Sequence, residues 1–298
     1  MKEIKSRGEK NFSIFSEISV IILVIISLAP FILITVASFT KESALVKYGY
    51  SFFPKVISFD AYTYLMKEIG TIVKAYGISI FVTVVGTAIS IIITAMLAYP
   101  LSRRDFKYGK LISFIVLFTM LFSGGVAPSY IMWTRVFHVK DTIFALILPN
   151  YLMNAFNVFL MRNYYSNNIP SSLIESAQMD GAGELKIFFK IIFPLSIPAI
   201  ATIGIFTGLA YWNDWINALY YITKPNLYSI QNLLVTTMNN IQFLQSGNAS
   251  AVGNVAVQFP SNGIRMALAV IGVLPIIIIF PFMQKYFIKG VVVGAVKG

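Results

Sequence analysis

Few residues in this sequence are equipped for covalent or acid–base chemistry. One histidine, His138, and no cysteine occur among 298 residues. That removes thiolate metal sites and leaves zinc chemistry without its usual ligands. No G-x-x-x-x-G-K-[ST] run is present. The nearest stretch, GAGELKIF, lacks the lysine and hydroxyl that hold phosphate and magnesium. No G-x-S-x-G elbow, H-E-x-x-H pair or histidine-containing triad is visible either. Polar chemistry remains in two settings. The first is ESAQMDGAGELKIFFKIIFPLSIP, from Glu175 to Pro198, with three acids, two lysines, two glycines and two prolines. The second is Asn150, Asn154 and Asn157, spaced by four and three, which a continuous helix puts on or near one face beside Tyr151. Amides suit hydroxyl-rich solutes, and the rings of Tyr211 and Trp212 suit the C–H faces of such solutes. The same amides also serve as interhelical hydrogen bonds, and the same rings as an interfacial aromatic belt.

The elements that must position these residues are membrane spans. The chain is 57% hydrophobic and 12% charged, with a mean hydropathy of +0.76, too apolar for a soluble domain. A span needs roughly 20 apolar residues. About six such stretches are found: Ile18 to Ser38, Lys74 to Leu101, Leu111 to Trp133, Thr142 to Arg162, Phe193 to Asn213 and Ile264 to Gln284. The expected fold is therefore an all-α integral membrane protein. The net charge of +11 follows from basic residues near span ends rather than from a dense basic run, so nucleic acid is not an expected partner. Lys2, Lys5, Arg7 and Lys10 precede the first span. Arg103, Arg104, Lys107 and Lys110 fill the second link, and Lys285, Lys289 and Lys297 follow the last span. Placing all three groups inside puts both termini in the cytoplasm. Residues 1–17 then form a cytoplasmic segment and residues 18–298 a single transmembrane domain. An outer loop covers 214–263, and Asp214 is expected at the interface rather than buried.

The link between the fourth and fifth spans, residues 166–192, is longer than a return requires. Pro170 breaks the preceding helix. Ser172 with Glu175 three residues on has capping-box spacing, so a short helix is expected from about Leu173. Gly181 and Gly183 should end it, and a second helix should begin near Glu184. Pro194 and Pro198 mark entry into the fifth span. The outcome is a helix–turn–helix elbow on the cytoplasmic face, long enough to be a docking surface.

This elbow resembles the EAA loop of the permease subunits of binding-protein-dependent ABC importers. Glu175, Ser176 and Ala177 occupy the triplet, Gly181 the glycine, Ile191 the isoleucine and Phe193-Pro194 the closing pair. Ser176 and Phe193 depart mildly from that pattern. Asp180-Gly181-Ala182 matches the DGA of the sugar branch. AYPLSRRDFK, FSGGVAPSY, DTIFALILPNYLMNAFNVFLMRNYY, YWNDWINALYYI and the tail QKYFIKGVVVGAVKG are similar to the carbohydrate uptake family. FSGGVAPSY leans toward its oligosaccharide, or polygalacturonan and lipoprotein-associated, subgroup.

The resemblance implies a type I ABC importer permease fold in the bacterial cytoplasmic membrane and uptake of a carbohydrate of the oligosaccharide class. It implies a homologous second permease, two cytoplasmic ATPase subunits that hold ATP and Mg, and a lipoprotein-anchored extracellular binding protein. No cofactor and no metal are expected on this chain itself. Glu175, Ser176, Ala177, Asp180, Gly181 and Ala182 would couple to the ATPase, with Glu175 in its cleft and Gly181 setting the angle between the elbow's helices. Asn150, Tyr151, Asn154, Asn157, Tyr211 and Trp212 are candidates for the solute pathway. Gln245, Ser246, Asn248 and Asn254, in a polar outer segment, are candidates for contact with the binding protein; a plain connector is the competing reading. Competing functions are a permease for a non-sugar solute (amino acid, phosphate or peptide) and an ion-coupled secondary transporter. The second would need acids in mid-span, and none is present.

Overall fold

The computed structural model describes residues 7–245 and 261–295. Helices dominate it, and among the described residues the only β pairing is the isolated bridge between Thr40 and Ile57. The chain forms two compact units, Met1–Ile69 with Thr236–Leu274 and Gly70–Val235 with Pro275–Gly298.

The first unit holds α1 (Arg7–Ser38), α2 (Glu42–Tyr48), α3 (Asp60–Lys67) and the start of α14 (Ser261–Ala295). Apolar side chains on α1, among them Phe15, Leu23 and Ile26, are exposed all round. In water that would be costly, whereas hydrocarbon chains solvate them as well as protein does. At the end of α1, Ser38 Oγ and Tyr62 Oη lie 2.8 Å apart, and Phe39 stacks on Tyr62 with ring centres 4.7 Å apart. The carboxylate of Glu42 accepts from Asn262 N at 3.1 Å, Asn262 Nδ2 at 2.8 Å and Gly263 N at 3.0 Å. It thereby satisfies amides at the start of α14 that have no partner within their own helix.

The second unit is built on α4 (Ile69–Ser102). Ser79, Val82, Gly86, Ser90, Thr94 and Ala98 are buried on it at spacings of three or four, so its inward stripe is made of small residues. That stripe admits α11 (Ile197–Trp212) closely. A Cβ at Gly204 would lie 3.2 Å from Ile91, and one at Gly208 would lie 3.5 Å from Thr87 Oγ1. Small residues four apart are the usual means of tight helix approach in membranes.

Among the described residues, three helices, over Asn11–Ser38, Ile69–Ser102 and Asn262–Ile279, are each long and apolar enough to cross a membrane. Two of the expected spans are bent. The expected third consists of α5 (Gly109–Leu121) and α6 (Val126–Val136), which meet at 112°. Their junction is Phe122-Ser123-Gly124-Gly125, where Gly125 N bonds Ser123 Oγ at 3.2 Å instead of continuing the helix. The fifth, expected from Phe193, is bent where α10 (Glu184–Leu195), which begins in the elbow, meets α11 at 79°. Pro194 and Pro198 flank that bend and cannot donate to the helix ladder. Ahead of Pro194 the helix widens into a π turn over Phe188–Ile192, with Phe193 N bonded to Phe188 O.

The fourth expected span does not form one helix. Short α7 (Phe144–Ile147) and α8 (Ala155–Asn168) are separated by an irregular stretch. Pro149 has no N–H to offer, and Asn150 adopts a left-handed φ of 67°. Asn154 then starts α8 by accepting from Phe156 N at 2.9 Å and Asn157 N at 3.3 Å. The remaining helices are α9 (Ser171–Met179), α12 (Ile216–Tyr221) and α13 (Ile230–Gln245).

Candidate functional site: the elbow and the amide–tyrosine cluster

The elbow forms as a helix, a turn and a second helix. Its start differs from the capping-box expectation. Pro170 is the N-cap, in extended conformation, and no side chain caps the helix. Proline already fixes the entry dihedral, so α9 begins at Ser171, ahead of Ser172. Ser176 Oγ donates back to Ser172 O at 2.7 Å, and the Glu175 side chain stays exposed.

The end of α9 follows the expectation. Gly181 has φ 77°, a conformation that costs glycine little and other L residues more. Ala182 N bonds Ala177 O at 2.9 Å and Gly181 N bonds Gln178 O at 2.9 Å, the paired closure of a Schellman end. Ala177 is buried in a cluster with Ile187, Phe188, Met161 and Ala98, against which Ala182 and Ile174 also pack. One face of the elbow is thus fixed to α4 and α8. The other is open: Glu175, Ser176, Asp180 and Gly181 are exposed, and so are Met179 at 89% and Leu185 at 66%.

Glu184 opens α10, where an acid also suits the helix dipole. It receives Tyr99 Oη at 2.8 Å, Arg103 Nη1 at 2.7 and 2.8 Å, and Gln178 Nε2 at 2.9 Å. Partial burial raises its pKa, yet the hydrogen bonds from Tyr99, Arg103 and Gln178 outweigh this and hold it below the ordinary carboxylate value. Asp105, hydrogen-bonded to the same guanidinium, is held below its ordinary value chiefly by that bond. Arg103 is therefore more than a charge near a span end. Sequence reasoning missed this network, because its partners are 81 and 85 residues apart.

The second setting is rearranged relative to expectation. Asn150, Asn154 and Asn157 do not share a helix face, because the chain breaks at Pro149 and Asn150 and restarts at Asn154. Asn150 Nδ2 donates to Asn217 Oδ1 at 2.9 Å, and Asn217 Nδ2 donates to Pro149 O at 3.1 Å. Asn154 is spent on capping α8. Asn157, buried, donates to Thr207 Oγ1 on α11 at 3.2 Å. Tyr211 and Trp212 are buried rather than belted at an interface. Tyr211 Oη donates to Ile147 O at 2.8 Å, and the half-buried Tyr151 ring meets the Tyr211 ring edge-on at 5.5 Å. Asp214 is also buried, 5% exposed, contrary to the interfacial expectation. Its Oδ1 accepts from Ile216 N and Asn217 N, both at 3.1 Å, and so begins α12. The structure brings Asn150, Tyr151 and Tyr211 together and adds Asn217, which no sequence pattern singled out. Asn157 and Trp212 lie on other contacts. Gln245 is the last residue of α13, while Ser246, Asn248 and Asn254 lie outside the described residues.

Residues 81–293 match the family described as binding-protein-dependent transport system inner membrane component. The chain belongs to that family. It is similar to the polygalacturonan/rhamnogalacturonan transport system permease protein YtcP of Bacillus subtilis, 40% identical over 92% of this chain and 94% of that one. It is similar also to protein LplC of the same organism, 39% identical over 92% and 90%. Among solved structures it resembles a bacterial ABC transporter involved in import of the acidic polysaccharide alginate, with a TM-score of 0.79, 31% identity, and coverage of 96% of this chain and 100% of that one. This member of the family has the ABC importer permease fold and is a multi-pass protein of the bacterial cytoplasmic membrane. The family is a membrane component of transporters and not their ATPase.

Proposed function

We propose that this chain is the permease subunit of an ATP-driven importer that takes up a carbohydrate of the oligosaccharide class from an extracellular binding protein. The observation that carries the coupling half of this reading is the elbow: one face buried against α4 and α8, the other open and bearing Glu175, Asp180 and Met179 around a left-handed Gly181. An exposed large apolar side chain between acids suits a protein partner better than water. The carbohydrate half is supported by relatives whose names specify polygalacturonan and arabinooligosaccharides. It is also supported by amides and tyrosine rings gathered at Asn150, Asn217, Tyr151 and Tyr211.

In this reading a homologous second permease, two cytoplasmic ATPase subunits and a lipoprotein-anchored binding protein complete the assembly. Both termini lie in the cytoplasm. ATP and Mg bind to the ATPases. Glu175, Ser176 and Asp180 contact an ATPase, Ala177 and Ala182 anchor the elbow to the bundle, and Gly181 sets the angle between its helices. Closure of the ATPase pair moves the elbow, and the spans follow to open the pathway outward. Asn150, Tyr151 and Tyr211 lie toward that pathway, with Asn154, Asn157 and Trp212 holding the helices beside it. Gln245, Ser246, Asn248 and Asn254 are the proposed contacts with the binding protein.

The test is a pair of substitutions, Glu175→Lys and Gly181→Val. Both variants should reach the membrane at native levels and lose uptake, and Glu175→Lys should release the ATPase during purification. Native uptake together with native ATPase retention in both would refute the coupling role.

A further inference from the structure

One carboxylate ties three separate pieces of this chain together. Glu184 Oε1 accepts from Arg103 Nη1 and Gln178 Nε2, and Oε2 accepts from Tyr99 Oη and Arg103 Nη1. Tyr99 lies in the last turn of α4 and Arg103 just beyond it. Gln178 belongs to α9, on the far side of the Gly181 turn. Glu184 itself begins α10. The guanidinium is held from its other side by Asp105, through Nη2 and through Nε at 2.9 Å.

An exposed ion pair alone would carry little weight, since two long side chains lose freedom for a screened attraction. This one differs in three ways. Although the Glu184 side chain is 55% exposed, that of Arg103 is only 17% exposed, and Tyr99 is buried. The Arg103–Asp105 contact fixes the guanidinium before Glu184 arrives, so less freedom is lost on pairing. All the bonds to Glu184 are charge-assisted, and they polarise one another. The packing of Ala177, Ile174 and Ala182 on the buried cluster also joins the elbow to the bundle, but the backbone link between α9 and α10 is weak. Residues 180–183 form a short turn with two glycines, and backbone of that kind yields when pushed.

We propose that Glu184 is a positioning residue for coupling: it closes the Gly181 turn by holding Gln178 and locks both elbow helices to the end of α4 through Tyr99 and Arg103, so that the elbow moves as a rigid unit. Without it, much of the displacement of α9 is absorbed by flexing at 180–183 before it reaches the spans. The inference rests on the elbow being the ATPase contact. It differs from that reading in giving Glu184 its partners within this chain, at the end of α4 and in α9, and not on the ATPase.

The absence of cysteine from the sequence makes the test direct. In the complete transporter, spin labels on Ser171→Cys and Leu111→Cys, both exposed in the chain and outside the proposed ATPase contact, read the elbow. A second pair, on Leu117→Cys and Phe206→Cys, reads the spans. Distances are measured by double electron–electron resonance without nucleotide and with ATP–vanadate. In Glu184→Ala the elbow distribution should be at least twice as wide as in the native chain. The nucleotide-driven shift between the spans should fall by half or more, with the ATPase still co-purifying. The conservative Glu184→Asp, which keeps a carboxylate to accept from Arg103, Tyr99 and Gln178, should narrow the distribution again and restore at least part of the shift. Native width and native shift in Glu184→Ala would overturn the proposal. Loss of the ATPase from that variant would overturn it too, by making Glu184 a contact residue. Failure of the docking reading itself would show separately, as native ATPase retention in Glu175→Lys.

Discussion

A single methyl group at Gly86 should damage this protein more than any surface change. A Cβ built there would sit 2.6 Å from Tyr211 Cζ and 2.8 and 2.9 Å from its neighbouring ring carbons. Carbon atoms in contact prefer about 3.5 Å or more, so the ring must retreat by about 0.9 Å. It has little room to do so. Its hydroxyl is bonded to Ile147 O at 2.8 Å, its edge meets Tyr151, and the side chain is buried. Overpacking of this kind costs about 1–3 kcal/mol. If the ring moves enough to break its bond, a buried hydroxyl and carbonyl are left without each other, at about 1–3 kcal/mol more. Gly86→Ala should therefore destabilise by about 1–3 kcal/mol if the bond survives and by about 2–6 kcal/mol if it breaks. Gly77→Ala, on the same helix with nothing within 4 Å of the new methyl, should be neutral or stabilising by about 0.4–1 kcal/mol. The assay is thermal aggregation of the detergent-solubilised chain, read by fluorescence-detected gel filtration on both variants in parallel. Pairing Gly86→Ala with Tyr211→Leu should cost less than the sum of the two alone, since they share one clash. Equal melting of Gly86→Ala and Gly77→Ala would refute the reasoning.

Three further outcomes are expected. Asn217→Ala removes a fully buried amide that receives Asn150 and donates to Pro149 O. Thermal melts of the solubilised chain should register a loss of about 2–4 kcal/mol. Asp141→Gly keeps the left-handed backbone at that position (φ 56°) but removes the carboxylate that accepts from Thr223 N, Thr223 Oγ1 at 2.7 Å and Lys224 N at 3.2 Å. Hydrogen exchange at Thr223 and Lys224 should quicken, with uptake otherwise retained. The Glu184 carboxyl sits below its ordinary value in the folded chain, so its contribution is complete above the unfolded value of about 4.3. It is lost only as pH falls through the lower folded value. Elbow distances in the labelled transporter should stay constant from about pH 8 to about pH 5.5 and broaden only in stronger acid.

Much of the elbow was legible because its signals are local. Pro170 ends one helix, Gly181 ends the next and Pro194 disturbs the third, and each acts through its own backbone dihedrals or missing N–H. The helices over α1, α4 and α14 were legible from uninterrupted hydropathy, with ends displaced by several residues. The breaks at 122–125 and 148–154 were not. Both lie in apolar surroundings, where a hydropathy window passes over a short turn. The spacing of Asn150, Asn154 and Asn157 misled because it presumes a continuous helix, and Asn150 itself supplies the left-handed residue that ends continuity. Asp214 was read by its charge, whereas its short side chain satisfies two amides and can therefore be buried. The Glu184 network lay beyond reach for a different reason: nothing near Glu184 in sequence announces Tyr99 or Arg103.

The bend between α10 and α11 turns two ordinary helices into a bell crank. At about 1.5 Å per residue the arm from Glu184 to Leu195 is about 18 Å long and the arm from Ile197 to Trp212 about 24 Å. The arms meet at 79°, and Ser196, at the pivot, is fully buried. With a stiff pivot, a sideways push of about 2 Å at Glu184 rotates the pair by about 6° and swings the Trp212 end through about 2.7 Å. The far arm outruns the near one by about a third. Tyr211 and Trp212 ride on its tip, and because Tyr211 is packed on Gly86 and bonded to Ile147 O, motion there must be handed on to α4 and α7 and cannot be taken up by the ring.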